Sequence, residues 1–132
     1  MRVYIALKYY PDYRNGDIVD RISAAFERMG HETVCIARDV EEKGKVELEP
    51  AELMRITFRK IDVCDLVVID FSEKGTGLGI EAGYAYAKGI PVITVAREGA
   101  EISDTLRGIS RDIFFYSSME DIEGLFDPIF GS

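Results

Sequence analysis

The sequence predicts a three-layer α/β sandwich built on a parallel sheet. Short apolar runs recur along the chain, amphipathic helical patterns separate them, and glycines or prolines punctuate the joins. Runs such as Val3-Tyr4-Ile5-Ala6-Leu7 and Leu66-Val67-Val68-Ile69 do not alternate with polar residues, so they suit strands covered on both faces. Strand–helix–strand connections of this spacing are right-handed and make parallel neighbours.

The first strand is expected over residues 3–7, bounded by Pro11 and Asn15-Gly16. Asp17 then caps a helix whose apolar residues Ile18, Ile22, Ala25, Phe26 and Met29 share one face, and Gly30 stops it. Thr33-Val34-Cys35-Ile36-Ala37 is the second strand, and the charged stretch 38–49 reads as a solvated loop without assignable chemistry. Pro50 opens a helix in which Leu53, Thr57, Ile61 and Cys64 form a stripe, so Thr57 is expected to face inward. The third strand is residues 66–70, followed by a glycine-rich turn over 71–79 and a small-residue helix over 80–88. A fourth strand at 91–95, a short helix at 103–107, a strand at 113–115 and a helix over about 119–129 complete the chain.

Five such units default to the sheet order 2-1-3-4-5, a flavodoxin-like arrangement in one domain spanning 1–132. Ligands in open parallel sheets bind at the carboxyl ends of the strands, at the switch point between strands one and three. That rule selects the loops over 7–17 and 71–79.

Composition narrows the partners. The 132 residues are 47% hydrophobic and 30% charged, enough for one domain with a real core. No apolar run approaches the roughly 20 residues of a membrane-spanning helix. Sixteen Lys and Arg against 24 Asp and Glu give a net charge of -8, which repels a nucleic-acid backbone. Cys35 and Cys64 sit in apolar stretches, as buried small hydrophobes of a reducing compartment do. With no signal-peptide pattern at the amino end, a cytoplasmic location is expected. His31 follows Gly30 at a turn and reads as a surface residue; without metal-ligand spacing or a Ser-His-Asp set, neither a metal nor a cofactor is called for.

The chemistry concentrates in Gly75-Thr76-Gly77-Leu78-Gly79-Ile80-Glu81. Gly75, Gly77 and Gly79 ahead of a helix free the backbone to approach a ligand, and the helix start offers N–H groups to an anion. The pattern fails the dinucleotide fingerprint, because it follows the third strand rather than the first. Glu81 is expected in the first helical turn, held ionised by the macrodipole either as a nucleophile or simply as a surface countercharge.

Residues 77–93, G-L-G-I-E-A-G-Y-A-Y-A-K-G-I-P-V-I, resemble the signature helix of the nucleoside 2-deoxyribosyltransferase superfamily, including its 2'-deoxynucleoside 5'-monophosphate N-glycosidases. The V-Y-I strand, the D-L-V-V-I-D strand and the I-S-D-T-L-R-G stretch extend the resemblance over most of the chain. The resemblance implies Glu81 as the nucleophile on C1' of the sugar and Tyr4 as its contact. It also implies Ser103 as a phosphate ligand across a homodimer or dimer-of-dimers interface, with Arg107 nearby. An aspartate usual in the family is here Thr57, and a usual serine or aspartate is Gly75. Asp70 is the candidate replacement acid or, alternatively, a cap of the following turn. The family's phosphate loop is replaced by Lys8-Tyr9-Tyr10-Pro11-Asp12-Tyr13-Arg14, where Lys8 and Arg14 offer charge and the tyrosines offer stacking, unless this is a plain solvated loop.

The expected activity is hydrolysis of the N-glycosidic bond of a 2'-deoxynucleoside 5'-monophosphate. Base exchange by a transferase and a non-catalytic nucleotide-binding domain are the alternatives. A phospho-acceptor receiver of the same topology would need an acidic pair where this chain has Leu7-Lys8.

Overall fold

The computed structural model describes residues 1–130. Five parallel strands, β1 (Arg2–Ala6), β2 (Glu32–Val34), β3 (Leu66–Asp70), β4 (Val92–Arg97) and β5 (Asp112–Tyr116), form one sheet in the order β2-β1-β3-β4-β5. The central pairing sets Tyr4 beside Val67 and Ala6 beside Ile69. Helices α1 (Gly16–Arg28), α2 (Ile36–Asp39), α3 (Pro50–Asp62), α4 (Thr76–Ala87), α5 (Asp104–Ile109) and α6 (Asp127–Phe130) connect and cover it.

Strand alternation divides the core in two. Val3, Ile5, Leu66, Val68 and Val95 pack against Ile22 and Phe26 of α1 and against Ile122 and Phe126 near the carboxyl end. On the other face Tyr4, Ala6, Val67 and Ile69 meet Ile61 of α3, Leu78, Ala82 and Ala85 of α4, and Leu106 of α5. Burying each large side chain contributes roughly 1.5–3 kcal/mol, so both layers hold the sheet.

Several boundaries differ from expectation. Helix α1 starts at Gly16 after Asn15, leaving Asp17 in the first turn. Strand β2 ends at Val34, because the Asp39 carboxylate accepts the Cys35 N–H at 2.9 Å and turns the chain into α2. The expected helix over 119–129 splits into a 3-10 segment, Met119–Gly124, and α6. Its start is a box in which Ser117 and Ser118 N–H groups donate to Asp121 at 3.1 Å. The short helix begins one residue late, at Asp104, with Ser103 as its N-cap.

The largest departure is in the stretch 38–49, whose beginning is folded and packed up to Glu41, while residues 42–45, 47 and 49 are exposed as a solvated loop would be. Arg38 donates to Ser23 at 2.6 Å and to the Thr33 carbonyl at 3.1 Å, pinning α2 to α1 and β2. The Glu41 carbonyl then accepts from Gly44 and Val46, both at 3.0 Å, and a 3-10 turn runs over Glu42–Gly44. Glu42, Lys43 and Gly44 all take left-handed backbone conformations, and a Cβ at Gly44 would collide with the Pro11 carbonyl oxygen. This strap therefore packs directly on the loop after β1.

Candidate active site

Two cavities open at the carboxyl ends of the strands, one on each side of the sheet, and Lys8 lines both. The larger, about 490 Å³, lies on the α3/α4 side. Tyr4 and Ala6 of β1, Thr57 of α3 and Glu81 of α4 face it, while the strap contributes Glu41 and Glu47. Thr57 is 2% exposed, facing inward as its stripe requires.

Glu81 lies in the second turn of α4, not the first, because the helix begins at Thr76 and absorbs Gly77 and Gly79. The glycine run thus forms the start of the helix rather than a loop, because alternating glycines permit a helix once Gly75 adopts an extended conformation at the cap. The macrodipole is therefore not what sets the charge of Glu81. Its Oε2 is buried without a hydrogen-bond partner, and burial pushes its pKa up to about 7. The Tyr4 hydroxyl pulls in the opposite direction, and the nearby Glu41 carboxylate adds to the rise. Tyr4 itself is buried and its hydroxyl is held well above the ordinary tyrosine range by burial and then by Glu81, so it stays a proton donor. A carboxyl poised near neutrality beside a neutral phenol suits either nucleophilic attack or proton transfer.

Gly75 and Gly77 line the cavity, whereas Gly79 faces outward and is exposed. The first N–H groups of α4 have no partner within the helix, and Thr76 and Gly77 carry them at the cavity edge. Lys8 is the cavity's cation, while Arg14 is exposed and paired with Asp12 at 3.0 Å. Ser103 lines neither cavity; its hydroxyl accepts the Leu106 N–H at 3.4 Å as an N-cap.

Asp70 is separated from Glu81 by the sheet, since successive residues of β3 point to opposite faces. It lines the smaller cavity of about 290 Å³ with Arg97 and Ser72. Its carboxylate accepts from the Tyr116 hydroxyl at 2.6 Å and from the Ser72 N–H at 3.0 Å, the turn cap that was its alternative reading. Burial raises its pKa. Both cysteines are buried free thiols pushed up to about 11 by burial, and His31 takes the N-terminal amine at 2.9 Å. No group of ligands fit for a metal occurs among the described residues.

Sequence reasoning missed Glu41. It stands in the run Glu41-Glu42-Lys43-Gly44-Lys45, where only the chain's path sets it apart from its solvated neighbours.

The family model for nucleoside 2-deoxyribosyltransferase matches residues 3–123. The chain belongs to that family. A putative 2'-deoxynucleoside 5'-phosphate N-hydrolase 1 of Thermofilum pendens is 30% identical over 129 residues, covering 93% of this chain and 88% of the relative. Among solved structures, the CMP N-glycosidase of Clostridium botulinum superposes with a TM-score of 0.68 at 19% identity, covering 93% of this chain and 94% of that one. The 2-deoxyribosyltransferase of Bacillus psychrosaccharolyticus gives 0.71 at 16%, with 93% and 90% covered. At those identities the superpositions show the shared fold, which is the five-stranded order 2-1-3-4-5 expected here. The chain is thus an enzyme of a glycosidase and deoxyribosyltransferase family acting on nucleosides or nucleotides. No helix is long and apolar enough to cross a membrane among the described residues.

Proposed function

We propose that the protein hydrolyses the N-glycosidic bond of a 2'-deoxynucleoside 5'-monophosphate by a retaining double displacement. The observation that carries the proposal is Glu81, with a buried unpartnered oxygen, set against Tyr4 in a cavity on the strand ends. Glu81 attacks C1', a glycosyl-enzyme ester forms as the base leaves, and water then hydrolyses the ester. Tyr4 holds the carboxylate ready to attack. Glu47 and Glu81 against Lys8 give the cavity negative character, which favours the cationic sugar of the transition state.

The phosphate is placed near Lys8 and the first N–H groups of α4, where Gly75 and Gly77 leave the backbone uncovered. Hydrolysis rather than base exchange is favoured by the name of the 30% identical relative. Ser103 completes the site only in a homodimer or a dimer of dimers, brought by a second subunit. The exposed face of α4, with Ile80 47% and Tyr86 59% exposed beside Gly83, is the surface offered for that contact.

The test is product analysis with a deoxynucleoside or its 5'-monophosphate, with and without a second free base. Free base and deoxyribose 5-phosphate, formed from the monophosphate alone, are expected. A new nucleoside that appears only when the second base is added, from the unphosphorylated substrate, overturns the choice in favour of transfer.

A further inference from the structure

We propose that Glu41, carried by the strap over the cavity, is the acid that protonates the departing base and then the base that activates water. The inference rests on the reaction proposed above, which leaves its proton donor unnamed. Thr57 has only a hydroxyl, which does not ionise near neutral pH, and Asp70 lies across the sheet in the other cavity. Glu41 is 9% exposed and lines the same cavity as Tyr4, Thr57 and Glu81, whereas Glu47 is exposed to solvent. No lysine or arginine forms an ion pair with Glu41 among the described residues, so its proton is not displaced by a fixed cation.

Burial raises the Glu41 pKa, and its charge in turn raises that of Glu81. The two carboxyls resist joint ionisation in one cavity and hold one proton between them; the reaction draws on the form in which Glu41 carries it and Glu81 is the anion. The other titratable groups facing this cavity are Tyr4, Lys8 and Tyr9 from β1 and its loop, Cys35 before α2, and Glu47. The strap is stiff enough to place the acid, because Arg38 fixes its start and the Glu41 carbonyl closes two backbone hydrogen bonds.

The step balances. The C1'–N bond breaks as a Glu81 oxygen bonds to C1', and the Glu41 proton goes to the base nitrogen. Water then gives its proton to Glu41 while its oxygen displaces Glu81 from C1', restoring both carboxyls.

The experiment compares the fastest-cleaved common 2'-deoxynucleoside 5'-monophosphate with an analogue whose base leaves without needing a proton. For a purine the analogue is the 7-methyl derivative, which departs as a neutral base, and for a pyrimidine it is 5-fluoro-2'-deoxyuridine 5'-monophosphate, whose fluorinated uracil departs as a stabilised anion. Glu41→Gln is expected to slow the common substrate by at least about 100-fold, and the analogue far less. In the wild type, the fall of kcat at high pH should weaken with the analogue, and Glu41→Asp should retain that fall with the common substrate. Equal slowing of both substrates, or no slowing of the common one, overturns the role. If Glu41→Gln melts early, the wild-type comparison decides: an unchanged high-pH fall with the analogue overturns it. Glu81→Gln is expected to be inactive on both substrates, and activity there overturns the proposed reaction itself rather than the choice of Glu41.

Discussion

Tyr4 of β1 and Glu81 of α4 bias each other's protonation on top of the burial that raises both: the phenol favours the carboxylate, while the carboxylate adds to the burial that keeps the phenol protonated. Neither effect exists in the isolated elements. It arises because inward residues of β1 and the cavity-facing side of α4 meet beside Leu78 and Ala82 in one core layer.

Replacing Tyr4 by Phe removes the group that lowers the Glu81 pKa, so that pKa rises and less anion is present near neutrality. The acid limb of kcat/KM should move to higher pH, with a greater loss of activity at about pH 6 than at about pH 8.5. A pH–rate profile of Tyr4→Phe is the check; an acid limb that stays in place contradicts the pairing.

Glu81→Gln should lose more than about nine-tenths of turnover, a barrier increase above about 1.4 kcal/mol. Its stability should move the other way. The folded pKa of about 7 lies above the ordinary 4.5, so the wild type is most favoured with Glu81 protonated and loses stability as pH rises from 4.5 towards 7. The variant is spared that loss. Thermal or urea unfolding should show it more stable than wild type at about pH 8 by roughly 1–3 kcal/mol, with the gap closing at acid pH.

Asp70→Ala should be a stability variant. It deprives the Tyr116 hydroxyl and the Ser72 N–H of their shared acceptor, a loss of about 1–3 kcal/mol for buried groups left unpaired. Because Asp70 opens on the opposite cavity, turnover of the folded variant should stay within about tenfold of wild type. Urea melts and kcat measured together test this, and a collapse of kcat with stability intact returns Asp70 to the chemistry.

Gly44→Ala forces a Cβ onto the Pro11 carbonyl at a left-handed position. The expected cost is about 1–3 kcal/mol, and displacement of the strap should raise KM. Urea melts with steady-state kinetics would show both changes; an unaltered KM would mean that the strap does not shape the site.

The assembly is tested by Ile80→Glu, which places a charge on the exposed apolar face of α4. Sedimentation at micromolar concentration should show a dimer or a dimer of dimers for the wild type and a smaller species for the variant. A monomeric wild type contradicts the shared site.

The sheet order and most element cores were legible in the sequence, since doubly apolar runs and 3.6-residue stripes are properties of neighbouring residues along the chain. Thr57 facing inward and Tyr4 on a buried strand followed from the same local periodicity. The start of α4 did not, because glycines that suit a loop are also tolerated in a helix once a cap and Leu78 packing favour it. Two further decisions belong to the tertiary structure alone. One is the path of the strap, which Arg38 and the Pro11–Gly44 contact fold over the cavity, turning Glu41 from one charge among many into a buried carboxyl. The other is the side of the sheet on which each carboxyl opens: the pleat of β3 turns Asp70 to the face away from α4, while the path of α4 brings Glu81 to the opposite cavity. Burial and proximity across elements set pKa values and proton paths, and those quantities exist only once the chain has closed on itself.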